Sequence, residues 1–356
     1  MALLIILITV ATVSCIILLY YYAFRYEPFN FKLSELNIIL KDTDKPAVGP
    51  LKESMPIFTI LHLSDFHLRR DSKGRELFKF VQSLQKLKVD FIFLTGDLVE
   101  EDKNLNYLIE MLSPLNAAYG KYAVLGVHDY YNKTPKEFIK NMVKRKRAYE
   151  RPNNIPRLIS KLSKIGIKVL RNESVKINTS RSSGIKDVEI IGVDDSIIGK
   201  VDVRKSFEKI SAAQSYSRSY NTESAKEVFN LQDKKNYKEE YRKVFNLKNK
   251  DEHVLNNTGN LRISLSHTPD RNTIMEIVQR GTDIIFCGHT HGGQVRLPGV
   301  GAIISGCNLK TKFTSGLFYF NSFVLYITRG LGEGRYSPFR FYCQPEASLV
   351  KIFKVN

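Results

Sequence analysis

Directly after the apolar run Asp283 to Cys287, the stretch Gly288 to Val295 reads Gly-His-Thr-His-Gly-Gly-Gln-Val and places two imidazoles two positions apart. Histidine is the commonest metal ligand at neutral pH, and flanking glycines let the backbone turn tightly while leaving room for a ligand. The pair is not isolated. Of the seven histidines in the chain, five lie in short motifs that each trail a strand-like run. These motifs are Asp65-Phe66-His67, Gly126-Val127-His128-Asp129, Ser266-His267 and the pair His289 and His291, with Gly96-Asp97 as a companion. Carboxylates and imidazoles without thiolates suit borderline divalent ions such as Mn, Fe, Zn or Co better than a closed structural zinc site. Two such ions about 3.5 to 4 Å apart, bridged by a carboxylate and a hydroxide, can bind a phosphoryl group and attack it in line. Hydrolysis of a phosphate ester or anhydride is the reaction this set supports best.

The positioning elements are legible around the motifs. Ile57 to Leu63 reads as a strand that delivers Asp65 and His67 at its C-terminal end, and Asp90 to Leu94 does the same for Asp97. Tyr122 to Leu125, Val188 to Gly192 and Arg262 to Leu265 are further strands, ending at His128, Asp194-Asp195 and His267. Between them, Gly74 to Lys88 sets Leu77, Phe80, Val81, Leu84 and Leu87 at helical spacing, a core-facing stripe. Pro135 to Lys164 and Asp270 to Arg280 also read as helical. Alternating strands and helices predict an α/β sheet with the site along one rim. Two-residue alternation in Leu317 to Thr328 and Ala347 to Phe353 predicts a closing block of sheet. Gly330 to Gly334 lacks the spacing and the terminal Lys-Ser/Thr of a nucleotide loop, so it reads as an ordinary loop.

Ala2 to Phe24 carries no charged side chain; as a helix at 1.5 Å per residue it spans about 34 Å, enough for a bilayer core. With Tyr20, Tyr21 and Tyr22 at the interface and Arg25 beyond them, the charge rule favours an inner-membrane, single-pass anchor with the catalytic body on the cytoplasmic side. A tether and lead-in strand follow over 25–56, then one catalytic domain over 57–356. Within it, 201–260 is rich in Lys, Ser, Asn and Tyr and reads as a basic insertion, a lid or a mere surface excursion; His253, inside it, is not expected to be a ligand. The net charge of +18 suits acidic partners, namely a phosphorylated substrate or anionic lipid. The anchor argues against nucleic acid. Cys15, Cys287, Cys307 and Cys343 show no paired spacing, so no disulfide framework is expected.

The order Asp-x-His, Gly-Asp-x-x-acid, Gly-x-His-Asp, His, Gly-His-x-His resembles the calcineurin-like metallophosphoesterases from about Thr59 to Phe353, apart from the insertion. More closely, Gly192 to Asp195, Ser266 to Asp270, Gly288 to Val295 and Arg329 to Gly332 are similar to the membrane-associated branch that includes the UDP-2,3-diacylglucosamine pyrophosphatases of lipid A synthesis. The resemblance implies a four-layer α/β/β/α sandwich and two divalent ions, with Mn favoured. It implies that Asp65, His67, Asp97 and His291 hold one ion and that Asp97, His267 and His289 hold the other. His128 would protonate the leaving group, with Glu100 or Asp129 orienting its ring. The implied reaction is cleavage of a phosphodiester or pyrophosphate, such as UDP-2,3-diacylglucosamine to UMP and lipid X. One position departs: Val127 stands where the family carries a ligating Asn. That leaves open a different phosphoester substrate, or a degenerate membrane-tethered scaffold.

Overall fold

The computed structural model describes residues 1–41, 55–132, 134–144, 149–179, 185–210, 253–254, 260–320 and 323–355. Apolar residues on both faces of each strand divide between two layers, as the two-residue period of a strand requires. Phe58 and Ile60 point toward the centre of the molecule together with Phe91 and Phe93, while Leu61, Leu63, Ile92 and Leu94 point away from it. The inward set packs on Ile190, Ile263, Ile284 and Phe286 of a second sheet. Helices Ser72–Ser83, Leu105–Leu112 and Ile155–Lys164 cover the outer face of the first sheet through Leu77, Val81, Leu105, Leu108, Leu158 and Leu162. Helix Arg271–Gln279 covers the second through Ile274, Ile277 and Val278. The result is the expected α/β/β/α sandwich.

The first sheet has seven strands in the order His253–Val254, Lys32–Lys41, Glu346–Val355, Phe58–Leu63, Phe91–Thr95, Gly120–Val124 and Ile167–Val169. The second has six, in the order Gly316–Tyr319, Val324–Ile327, Ile284–Cys287, Asn260–Ser266, Asp187–Val193 and Glu173–Asn178. Phe58–Leu63, Phe91–Thr95 and Gly120–Val124 are parallel neighbours, as are Asp187–Val193, Asn260–Ser266 and Ile284–Cys287. Parallel strands bring their C-terminal ends to one edge, where ligand sites of α/β sheets gather. Every histidine motif noted above sits there.

Several elements differ from the sequence reading. Lys32–Lys41 runs ten residues inside the first sheet, in parallel register with Glu346–Val355. The lead-in is therefore a full structural strand. The helical run at 135–164 is two helices, Pro135–Lys144 and Ile155–Lys164, separated by the short strand Arg151–Pro152. Asn154 caps the second by accepting from the Arg157 amide at 3.0 Å. The basic residues Arg145 to Arg147 and most of the 201–260 insertion lie outside the described residues. At the margins of that insertion are a short helix, Val203–Ser206, and a two-residue strand at His253 that pairs with Leu40 in the sheet. All four cysteines are free thiols, and Cys287 fills the outer core of the second sheet.

Helix Ala2–Tyr21 has no buried side chain and is long and apolar enough to cross a membrane. The Thr9 and Thr12 hydroxyls donate to the Ile5 and Ile8 carbonyls at 2.8 Å, leaving little polar surface to hydrate. Past Tyr21 the helix widens into a π-helical stretch over Tyr22–Tyr26, closes in a 3-10 turn over Glu27–Phe29 and meets the body. There the Arg340 amide donates to the Ala23 carbonyl at 3.0 Å. Tyr22 packs edge-on against Phe341 at 5.5 Å, and Phe24 lies 5.2 Å from Phe339.

Candidate metal centre

The donors arrive on sharp turns. Asp65 and His67 follow strand Phe58–Leu63, Asp97 follows Phe91–Thr95, and His289 and His291 follow Ile284–Cys287. All five have a left-handed backbone, with φ of 54°, 43°, 51°, 70° and 49° respectively. For a residue with a Cβ this conformation costs about 1 kcal/mol each. Strain of this kind gathers where the surrounding structure fixes a functional geometry. Small residues allow the close approach: a Cβ on Gly126 would lie 2.3 Å from Asp97 Oδ1, and one on Gly288 would lie 2.0 Å from Ser64 Oγ.

Asp97 sits at the centre. Its Oδ1 accepts from the His128 amide at 2.8 Å, while Oδ2 lies 3.2 Å from His267 Nε2 and 3.6 Å from His67 Nε2. On one side, His291 Nε2 is 3.2 Å from His67 Nε2 and 3.7 Å from Asp65 Oδ1. On the other, His289 Nδ1 is 3.3 Å from His267 Nε2. Donor atoms of Asp65, His67 and His291 fall within 4.8 Å of one another, as do those of Asp97, His267 and His289. Asp97 belongs between the two groups.

The other ring nitrogens decide what the inner ones are. His67 Nδ1 lies 2.8 Å from Glu100 Oε1, His291 Nδ1 lies 2.9 Å from the Gly332 carbonyl, and His267 Nδ1 lies 2.6 Å from the Thr95 carbonyl. His289 turns its Nε2 to the Gly306 carbonyl at 3.3 Å. Each outer nitrogen faces an acceptor and so carries a hydrogen, which turns the inner nitrogen toward the centre as the one a cation would take. Burial, with His267 adding to it, pushes His289 down to about 3. Burial and then the His67 charge hold His291 well below the usual histidine range. Burial also opposes charge on His267, but Asp97 outweighs it and holds that ring well above its usual value. Burial opposes ionisation of Asp97 as well; the neighbouring His267 and His128 prevail and hold its carboxyl well below the carboxylate range. Buried imidazole nitrogens converging on buried carboxylates are the donors that divalent cations take, displacing any proton on the inner nitrogens. The donor set fits two divalent ions.

Residues 58–293 match the calcineurin-like phosphoesterase family. The chain belongs to that family. It is accordingly a hydrolase of phosphoester bonds, and its donor set is that of a metallophosphoesterase. The metallophosphoesterase YkoQ of Bacillus subtilis, itself uncharacterized, is 27% identical over 316 residues, which is 86% of this chain and 89% of that one. Phosphodiesterase YaeI of Escherichia coli is 25% identical over 304 residues, covering 85% and 84% of the two chains. UDP-2,3-diacylglucosamine pyrophosphatase LpxG of Chlamydia muridarum is 24% identical over 378 aligned residues, covering 96% of this phosphoesterase and 95% of the relative.

The two candidates for orienting His128 separate clearly. Glu100 Oε2 lies 3.4 Å from His128 Nδ1, so Glu100 reaches both His67 and His128. Asp129 Oδ1 accepts from the Leu98 and Val99 amides and its Oδ2 from the Gly126 amide, so its carboxylate fastens two loops. Val127 opens the short helix Val127–Tyr130 and is buried, with no donor to offer the Asp97, His267 and His289 group.

Sequence reasoning missed the loop beyond Arg329. The Leu331 and Gly332 amides donate to the Ser64 and Asp65 carbonyls at 3.0 and 2.6 Å. Arg340, fully buried, donates to the carbonyls of Arg329, Gly330, Gly332 and Cys343 and to Glu333 Oε1 at 2.7 Å. Lys73 reaches the second oxygen of Glu333. The sequence signals for this loop were its glycines, which read as an ordinary loop, and the likeness of Arg329 to Gly332 to the membrane-associated branch, which gave the loop no role.

Proposed function

We propose that the protein is a membrane-anchored phosphohydrolase that cleaves a phosphodiester or pyrophosphate on a lipid-linked substrate, with UDP-2,3-diacylglucosamine, giving UMP and lipid X, as the favoured case. The observation that carries the chemistry is the set of inward-facing imidazole nitrogens around Asp97, each fixed by an acceptor on its far side. Asp65, His67, Asp97 and His291 hold one ion, and Asp97, His267 and His289 hold the second. Bound there, divalent ions, with Mn favoured, supply Lewis acidity toward the phosphoryl oxygens and an activated water. The protein's own groups do the rest. His128, only part-buried, keeps Nδ1 toward Glu100 and turns Nε2 to the substrate, where it steadies a phosphoryl oxygen and protonates the departing one. The left-handed turns and the Arg340 loop hold the donors in place before substrate arrives.

The lipid substrate is supported by the apolar helix Ala2–Tyr21 and by the alignment to the Chlamydia pyrophosphatase, which runs through nearly the whole of both chains. A single-pass anchor with the catalytic body on the cytoplasmic side is supported by Arg25 at the end of the apolar helix nearer the body. A different phosphodiester is the second reading, favoured by the likeness to YaeI. Full-length protein in detergent, supplied with UDP-2,3-diacylglucosamine and titrated with Mn²⁺, is expected to release UMP. His128→Ala should lower kcat by about 10²- to 10⁴-fold without loss of bound metal. Metal-dependent hydrolysis of a generic diester with no UMP release would remove the lipid A substrate and keep the hydrolase. No turnover of either substrate by folded, metal-loaded protein would favour the scaffold reading.

A further inference from the structure

Immediately past His291 and the two glycines, the chain forms the hairpin Arg296–Leu297 and Gly301–Ala302, with Pro298 to Val300 at its tip. Its apolar side chains face outward: Val300 is 76% exposed, Ile304 68%, Ile303 53% and Leu297 42%. Tyr342, on the neighbouring segment, is 57% exposed. A soluble protein rarely gathers five such residues on one projection; contiguous apolar patches mark interaction surfaces.

The place of the hairpin identifies what covers it. Val295 bridges to Phe341, whose amide donates to the Gln294 carbonyl at 2.9 Å, and the Arg296 amide donates to the Phe341 carbonyl at 2.9 Å. The Phe341 ring packs 5.5 Å from Tyr22, and the preceding Arg340 amide holds the Ala23 carbonyl. The hairpin is thus hydrogen-bonded to the segment that grips the inner end of the apolar helix. At about 3.3 Å per residue, a tip four residues beyond Val295 lies within about 13 Å of Val295 itself. The headgroup regions of both leaflets together add about 10 to 15 Å to a 30 Å core, about 5 to 8 Å on each side, so the hairpin is long enough to reach through the polar layer of one leaflet. The segment also leads into the metal centre: His289 contacts the Gly306 carbonyl, and Gly293 lies against Ala302 and the Ile304 carbonyl.

We propose that the Leu297 to Ile304 hairpin and Tyr342 form a second membrane contact, dipping into the interfacial layer of the bilayer that Ala2–Tyr21 crosses. The inference rests on the anchored reading above and deepens it. A helix alone fixes the body at one point and leaves it free to swivel; a second apolar contact next to His289 and His291 turns the metal rim toward the lipid surface. A phosphoryl group attached to a lipid then reaches the donors without leaving the bilayer.

The chain contains no tryptophan, so a single introduced indole reports its own surroundings. Full-length Val300→Trp, Tyr342→Trp, Leu7→Trp and Lys168→Trp are reconstituted separately into vesicles of phosphatidylcholine and phosphatidylglycerol, with or without brominated phosphatidylcholine. Lys168 is exposed on Ile167–Val169, an edge strand of the seven-stranded sheet, to which the hairpin does not belong. The expected result is blue-shifted emission and loss of intensity to bromine at positions 7, 300 and 342, and neither at 168. Quenching at 7 without quenching at 300 and 342 overturns the hairpin contact and leaves the anchor intact. Absence of quenching at all of 7, 300 and 342 overturns both. Quenching at 300 and 342 but not at 7 supports the hairpin contact and overturns the anchor.

Discussion

The two halves of the metal centre are built to different standards. On the side of Asp65, His67 and His291, every donor is backed: Glu100 behind His67, the Gly332 carbonyl behind His291, and the Ser64 hydroxyl and His289 amide on the Asp65 carboxylate. Arg340 and Glu333 then lock the supporting loop from beneath. On the side of His267 and His289, two imidazoles and a shared carboxylate stand beside the inert Val127. The backing of His289 is a single contact to Gly306 at 3.3 Å. Affinity for an ion depends on ligand number and on the partners that orient those ligands. The well-backed half is expected to fill first and tightly, and the other to fill at higher metal concentration.

Asp97 belongs to both halves, so its loss should erase the difference between them. Asp97→Asn is expected to reduce bound metal below one ion per chain and to abolish turnover, as checked by elemental analysis of the purified protein beside a diester assay. Full occupancy in that variant would remove Asp97 from the bridging position.

Arg340→Met attacks the backed half from beneath. It leaves the buried Glu333 with Lys73 as its one named partner and frees the carbonyls of Arg329, Gly330 and Gly332. Breaking a buried pair by removing one partner costs about 3 to 5 kcal/mol. A fall of that size in denaturation free energy is expected, together with weaker binding of the first ion. Unchanged stability would mean that the loop stands without its arginine.

Glu100→Gln is subtler, keeping shape while removing charge. Loss of a carboxylate behind a ligating histidine lowers metal affinity by about 10- to 100-fold. The loss is expected at the tight ion only, with the weaker ion unaffected, as read from competition with a chelating dye. Equal loss at both would put Glu100 outside the first half alone.

What the sequence could tell about these halves follows from how local each signal is. Asp65, His67, Asp97, His267, His289 and His291 announce themselves because each follows a short apolar strand, while the four layers come only with the family resemblance. The backing was invisible. Lys32–Lys41 pairs with Glu346–Val355 across the whole length of the chain, and no local pattern encodes such a partner. Arg340 reads as one more surface cation until the fold closes over it. Glu100 and Asp129 are equivalent as letters; only the turn at Gly126 turns Asp129 to backbone amides and leaves the imidazole to Glu100. The left-handed backbone at five donors has no signature in residue type at all.

The most direct test restores what Val127 withholds. Metal-free protein and its Val127→Asn variant would each be titrated with Mn²⁺ in a calorimeter. For the natural sequence two binding events of unequal affinity are predicted; in the variant the weaker one should tighten about tenfold, equivalent to about 1.4 kcal/mol, while the tighter one stays put. Two equal events in the natural protein, or a variant whose weaker event does not move, would contradict the unequal halves, and the absence of any binding would contradict the metal centre itself.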